Sequence, residues 1–112
     1  MLLAEEMAKA HPQVKFVSCH PGWCDTPGVR DKLADSLSYL APLRTLAQGA
    51  DGIAWLCAAD GKQLQSGGFY LDGQPRTKHV AGAFMTEGTW TKNSPQEVAE
   101  LMRRLRESAR QP

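Results

Sequence analysis

The sequence has no long apolar run. Its longest, Ile53 to Ala59, falls far short of the roughly 18–20 residues a membrane-spanning helix needs. It has no secretory start either: Met1-Leu2-Leu3-Ala4 leads straight into Glu5-Glu6, with no basic stretch ahead of an apolar one. Cysteine is scarce and odd in number (Cys19, Cys24, Cys57), which excludes a disulfide framework and suits reduced thiols in an intracellular, cytoplasmic protein. Charge of one sign is lacking too. Thirteen basic residues against twelve acidic leave a net charge of +1, with no pull toward nucleic acid or an anionic membrane. Internal repeats and low-complexity tracts are absent.

What remains is ordinary for a globular protein: 112 residues, one domain or a piece of one, with 42% apolar residues. Leu2, Leu3 and Met7 alternate with Glu5, Glu6 and Lys9 as a helix over 2–10, stopped by Pro12. No Ser, Thr, Asp or Asn caps its start, as expected of the end of a longer helix. A strand is expected over 14–19. Gly28 to Ser38 reads as a short helix carrying Val29, Leu33 and Leu37, and Pro42 breaks the chain. A strong helix follows over 47–60: Ala50, Ile53, Ala54 and Cys57 fall at helical spacing as a buried face, widened by Trp55 and Leu56. A glycine-bounded strand is expected over 67–72, parallel to the first, and residues 74–93 read as irregular.

The last helix, 94–109, has a clear start in Ser94-Pro95-Gln96-Glu97, with a capping Ser, a Pro at the first helical position and Glu at the third. Val98, Leu101, Met102 and Leu105 form its apolar stripe, and Arg103, Arg104, Arg106 and Arg110 suit a solvated face and the negative end of the helix dipole. Two short parallel strands cannot cover three apolar helix faces, so the expected class is α/β with an incomplete sheet.

The chemistry concentrates in Ser18-Cys19-His20-Pro21-Gly22-Trp23-Cys24-Asp25-Thr26-Pro27-Gly28-Val29, a strand that ends in a Pro-Gly turn. At the carboxyl edge of an α/β sheet such a loop brings free backbone N–H groups to a ligand, and Gly after Pro permits close approach. Thr26 adds a hydroxyl that donates and accepts. A plain turn leading into a helix cap reads the same residues without a ligand. Cys19, His20 and Cys24 do not make a structural zinc site, which needs four ligands, so no metal is expected. A nucleophilic Cys24 with His20 as base would need a positive neighbourhood, and Asp25 opposes one. Cys57 reads as a small core residue, Trp90 as an anchor for the irregular stretch rather than a stacking surface for a ligand, and His79, beside Lys78 and Arg76, as part of a solvated loop, the alternative being contact with a cofactor phosphate.

His20-Pro21-Gly22-Trp23-x-Asp25-Thr26-Pro27-Gly28-Val29 resembles the segment after the sixth strand of the short-chain dehydrogenases/reductases. Gln48-Gly49-Ala50-Asp51 at the start of a helix and Ser66-Gly67-Gly68-Phe69-Tyr70-Leu71-Asp72-Gly73 as the last strand follow in the family's order. The resemblance implies that the chain is the C-terminal portion of one Rossmann domain, a doubly wound parallel sheet. Residues 20–46 would be its nicotinamide loop and substrate segment. It implies NAD or NADP as cofactor, with Pro21, Gly22, Trp23, Cys24 and Thr26 at the nicotinamide edge, Cys24 through its backbone. It also implies a carbonyl or alcohol substrate walled by Trp23, Tyr39 and Leu40, and self-association through helix 47–60 and the last strand.

The family's Gly-rich turn and its Ser and Tyr-x-x-x-Lys residues have no counterpart here, since Tyr39 is followed four residues on by Leu43 and Tyr70 by Gln74. The resemblance places the Tyr-x-x-x-Lys pair just ahead of Met1. No catalytic residue is therefore assigned, and the chain is expected to be inactive alone, with a weak or absent cooperative melt. The competing expectations are a non-catalytic short isoform or interaction fragment that docks on a full-length family member, and a truncated gene product.

Overall fold

The computed structural model describes residues 1–78 and 93–110. His79 and Trp90 lie outside them, as does most of the stretch read as irregular. The elements are α1 (Leu2–Ala10), β1 (Ser18–Cys19), α2 (Pro27–Lys32), α3 (Leu37–Leu40), α4 (Leu46–Ala58), β2 (Phe69–Leu71), β3 (Gln74–Pro75) and α5 (Pro95–Ser108), with single 3-10 turns at Ala34–Ser36 and Gly61–Gln63.

The three strands form one mixed sheet in the order β1-β2-β3. β1 runs parallel to β2, with Ser18 opposite Phe69 and Cys19 opposite Tyr70. β3 is antiparallel to β2, with Leu71 opposite Gln74. Where an irregular stretch was expected from residue 74, the chain instead turns back in a two-residue hairpin. Asp72 and Gly73 take positive φ of 56° and 68°, the pair of left-handed conformations a tight hairpin turn requires and Asp-Gly favours.

The first strand is shorter than the expected 14–19. Phe16 and Val14 run beside the Ser66-Gly67 corner but are held mainly through a side chain: the Phe16 N–H donates to Ser66 Oγ at 3.2 Å, and Ser66 Oγ donates to the Val14 carbonyl at 3.2 Å. The Ser66 hydroxyl stands in for part of a ladder there, beside one backbone bond from the Gly67 N–H to the Phe16 carbonyl at 2.6 Å. The helix expected over Gly28–Ser38 is also broken. α2 ends at Lys32, and Leu33, with φ −119° and ψ 24°, leaves helical geometry and begins the 3-10 turn.

α4 starts with a full capping box: Thr45 Oγ1 accepts from the Gln48 N–H at 3.2 Å, and Gln48 Oε1 accepts from the Thr45 N–H at 2.9 Å. Its orientation corrects the sequence expectation. Ala50, Ile53, Ala54 and Cys57 face outward, Ile53 at 46% exposure, while Gly49 is buried and Gly52 and Leu56 are half-buried. The helix is apolar on both sides, so periodicity could not say which side meets the sheet; the side free of bulk does, because it allows the closer approach. A Cβ on Gly52 would stand 3.8 Å from the Asp72 backbone nitrogen.

Among the described residues, the buried large apolar side chains are Leu64, Tyr70 and Met102. Tyr70, 2% exposed, accepts the Gln65 N–H on its hydroxyl at 2.8 Å, which accounts for its polar atom. α5 lies against α1, its start closed by Ser94 and Glu97 in a second capping box. Of its stripe Met102 is buried, while Leu101 and Leu105 remain exposed. Among the described residues no helix is long and apolar enough to cross a membrane.

Candidate functional site

The Pro-Gly loop leaves the carboxyl end of β1 and stands beside the β2–β3 turn. Two local devices shape its start. The Gly22 N–H donates to His20 Nδ1 at 2.8 Å, and Gly22 takes φ +79°, which favours glycine. The His20 ring meets Trp23 edge-on, with centroids 5.9 Å apart. At the far end Thr26 Oγ1 accepts the Val29 N–H at 3.2 Å and caps α2, with Pro27 at the first helical position. The helix-cap reading of Thr26 is realised, and the hydroxyl hydrogen remains available to donate.

Between these ends the loop pairs with the segment before α4. Cys24 and Arg44 form an isolated parallel bridge: the Arg44 N–H donates to the Trp23 carbonyl and the Asp25 N–H to the Arg44 carbonyl, both at 2.8 Å. Such a bridge uses the residues on either side of Cys24. The backbone N–H and carbonyl of Cys24 itself have no hydrogen-bond partner among the described residues. Its sulfur turns inward, 3.6 Å from the Pro21 carbonyl and against Gly49.

Charge around the loop is paired. Asp25 accepts from Arg30 Nε and Nη2 at 2.5 and 2.6 Å, and these bonds hold its carboxyl below the ordinary carboxylate range. Arg44 Nη1 and Nη2 donate to the two oxygens of Asp72 at 2.5 and 2.8 Å; the contact lowers the Asp72 pKa and raises that of Arg44.

Two hollows flank the Arg44 side chain. The smaller, of about 290 Å³, is lined by His20, Trp23, Leu40, Pro42, Arg44 and Leu71, among others. The larger, of about 600 Å³, lies over α4 and the hairpin, among Gln48, Asp51, Trp55, Asp72 and Gln74. Of the three residues expected to wall a substrate, Trp23 and Leu40 share the smaller hollow. Tyr39 is 89% exposed and does not line it. Pro21 and Thr26 are loop neighbours outside its lining. The sequence reading did not single out Arg44 or Asp72, although Asp-Gly ahead of Gln74 was a hairpin signal. Among the described residues, no cluster of three His, Cys, Asp or Glu side chains could hold a metal ion.

The comparisons with known proteins decide the family. Dehydrogenase/reductase SDR family member 12 of Bos taurus is 41% identical over 112 residues, 98% of this chain and 33% of the relative. Its Homo sapiens counterpart is 36% identical over 111 residues, 97% of this chain and 33% of the relative. The chain belongs to the short-chain dehydrogenase/reductase family. A Streptomyces sp. (strain C5) member named as a daunorubicin C-13 ketoreductase is 40% identical over 73 residues, 64% of this chain and 25% of that one. The chain therefore spans about one third or less of the length of the curated relatives it matches. No family model matches the chain, and no solved structure matches it. Members of the family use NAD(P), and the mixed α/β sheet is consistent with part of a Rossmann-type domain.

Proposed function

We propose that this chain is the C-terminal portion of the Rossmann domain of an NAD(P)-dependent carbonyl or alcohol oxidoreductase, and that residues 20–26 are its nicotinamide loop. One observation carries the reading: among the described residues the Cys24 backbone N–H and carbonyl have no partner, in a loop at the carboxyl end of β1. A carboxamide presents one acceptor and two donor hydrogens, and an adjacent backbone donor and acceptor complement it. Pro21, Gly22 and Thr26 are neighbours of Cys24 in the same loop, and Gly22, Trp23 and Leu40 line a hollow next to Arg44. The fit is to the nicotinamide half of the cofactor. The cofactor would give hydride to a carbonyl or take it from an alcohol when bound; this chain's residues bind and orient.

No acid or base is assigned to the chain. Tyr70, one of its two tyrosines, is buried with its hydroxyl engaged, and neither tyrosine has a lysine four residues on. The expected outcome is no NADPH oxidation above a buffer blank when the purified chain is mixed with a panel of aldehydes and ketones. Measurable turnover would remove the assignment. Binding of nicotinamide mononucleotide, read as shifts of the Cys24 and Asp25 amide resonances, would support the loop's role, and its absence at saturating ligand would count against it.

A second reading, a non-catalytic fragment that docks on an intact family member or on its own copy, is favoured by the outward apolar face of α4 with Ala50, Ile53, Ala54 and Cys57. Co-purification with a full-length family member, lost on Ile53→Glu, would support it.

A further inference from the structure

Arg44 ties the loop to the β2–β3 turn through both its backbone and its side chain. Its backbone bonds the Trp23 carbonyl and the Asp25 N–H, so it pairs with the loop on both sides of Cys24. Its side chain crosses Gly22 so closely that a Cβ there would fall 2.5 Å from Arg44 Nε and 2.7 Å from Cδ and Cζ. Its guanidinium then reaches the β2–β3 turn and grips both Asp72 oxygens, with Nη1 also 3.4 Å from the Pro21 carbonyl. Asp72 is itself immobilised, as the first residue of a two-residue hairpin with positive φ.

We propose that Arg44 and Asp72 are the positioning pair of the candidate nicotinamide loop, fixing the height of Trp23–Asp25 over the sheet edge and so the direction in which the unpaired Cys24 N–H and carbonyl point. The proposal rests on the reading of residues 20–26 as the nicotinamide loop. The two-pronged geometry requires Arg, because a planar fork matches a carboxylate at two points and an ammonium does not. The pair is partly exposed, Arg44 to 34% and Asp72 to 48%, so its grip is screened by salt. Neither residue is a catalytic residue; both act through the loop backbone.

The test is amide hydrogen exchange on the full chain in the cold. Asp72→Asn is the cleanest variant, because Asn keeps the left-handed turn preference and loses only the charge. The Asp25 and Arg44 amides report the loop; the Ser18 and His20 amides, which donate to Gly68 and Tyr70 carbonyls at 3.0 Å, report the sheet. In Asp72→Asn and Arg44→Met the loop amides should exchange roughly three- to tenfold faster while the sheet amides do not change. Arg44→Lys should recover part of the difference, and the double variant should be no worse than either single one. Added salt should speed loop exchange in the wild type and not in Asp72→Asn, a dependence that side-chain packing alone would not produce.

Loop amides as protected in Asp72→Asn as in the wild type would overturn the proposal, and so would equal acceleration at Ser18 and His20. Nicotinamide mononucleotide separates the two claims: a wild-type chain that fails to bind it removes the cofactor reading, while loop-specific, salt-dependent exchange would still establish the pair.

Discussion

The Cys24 sulfur occupies the space where a side chain on Gly49 would begin. A Cβ built on Gly49 overlaps that sulfur, while Cys24 Cβ and Pro21 Cβ stand at an ordinary 3.6 Å. The loop is thus seated in a notch of α4, and the notch exists because residue 49 has no side chain.

Gly49→Ala should therefore destabilise the chain by about 1–3 kcal/mol through overpacking, despite the better helix propensity of Ala. Cys24→Ala opens the notch, and the double variant Cys24→Ala/Gly49→Ala should recover most of the loss. Protection of the α4 amides in the four proteins, read by hydrogen exchange in the cold, checks this. Additive effects would show that the loop does not pack on α4 as described.

Gly22 carries two constraints at once, positive φ and the Arg44 side chain lying across it. Gly22→Ala should cost about 1–2 kcal/mol from the backbone alone. It should also push Arg44 aside and weaken its hold on Asp72. The expected signature in amide exchange is faster exchange at Asp25 and Arg44, beyond any change at the Ser18 and His20 amides.

Acid should act on α5. The Ser94 N–H and hydroxyl hold Glu97 below the ordinary carboxylate value, and Arg103 and Arg104 bring Glu100 down from 4.5 to about 2. Because these pKa values are lower in the folded helix than in the unfolded chain, their stabilisation is fully present above the ordinary value and is lost as pH falls through the depressed ones. Circular dichroism should show constant helicity from neutral pH down to about 4.5 and a decline from there toward 2. Glu100→Gln should flatten much of that decline, and high salt should reduce it, since Glu100, Arg103 and Arg104 are all partly exposed.

Much of this was legible in single residues. Ser94-Pro95-x-Glu97 announced α5 because a capping box is a local bargain between a hydroxyl, a carboxylate and two N–H groups. The Pro-Gly turn and the order of the family motifs pointed to the loop and to the family. The Thr45–Gln48 capping box and the Asp72-Gly73 hairpin were equally local and readable, although neither figured in the sequence reading. The face of α4 was not readable: Ala50 and Ile53 made a plausible buried stripe, and only contact with Cys24 and the hairpin shows that Gly49 and Gly52 turn inward.

The sequence by itself determined the local devices: the caps, the positive-φ turn of Gly22, the hairpin, the family to which the motifs belong and the lack of a Tyr-x-x-x-Lys pair. The caps, the turn, the hairpin and the missing pair depend on residues within four positions of one another, and the family on the order of motifs along the chain. Tertiary structure alone decided that Arg44 meets Asp72 across 28 residues and that Gly49 receives Cys24. It also decided that the residues on either side of Cys24 bond Arg44, while the Cys24 backbone groups have no partner among the described residues. Those pairings depend on how closely helix, loop and hairpin approach, a distance set by packing and not by the spacing of any motif.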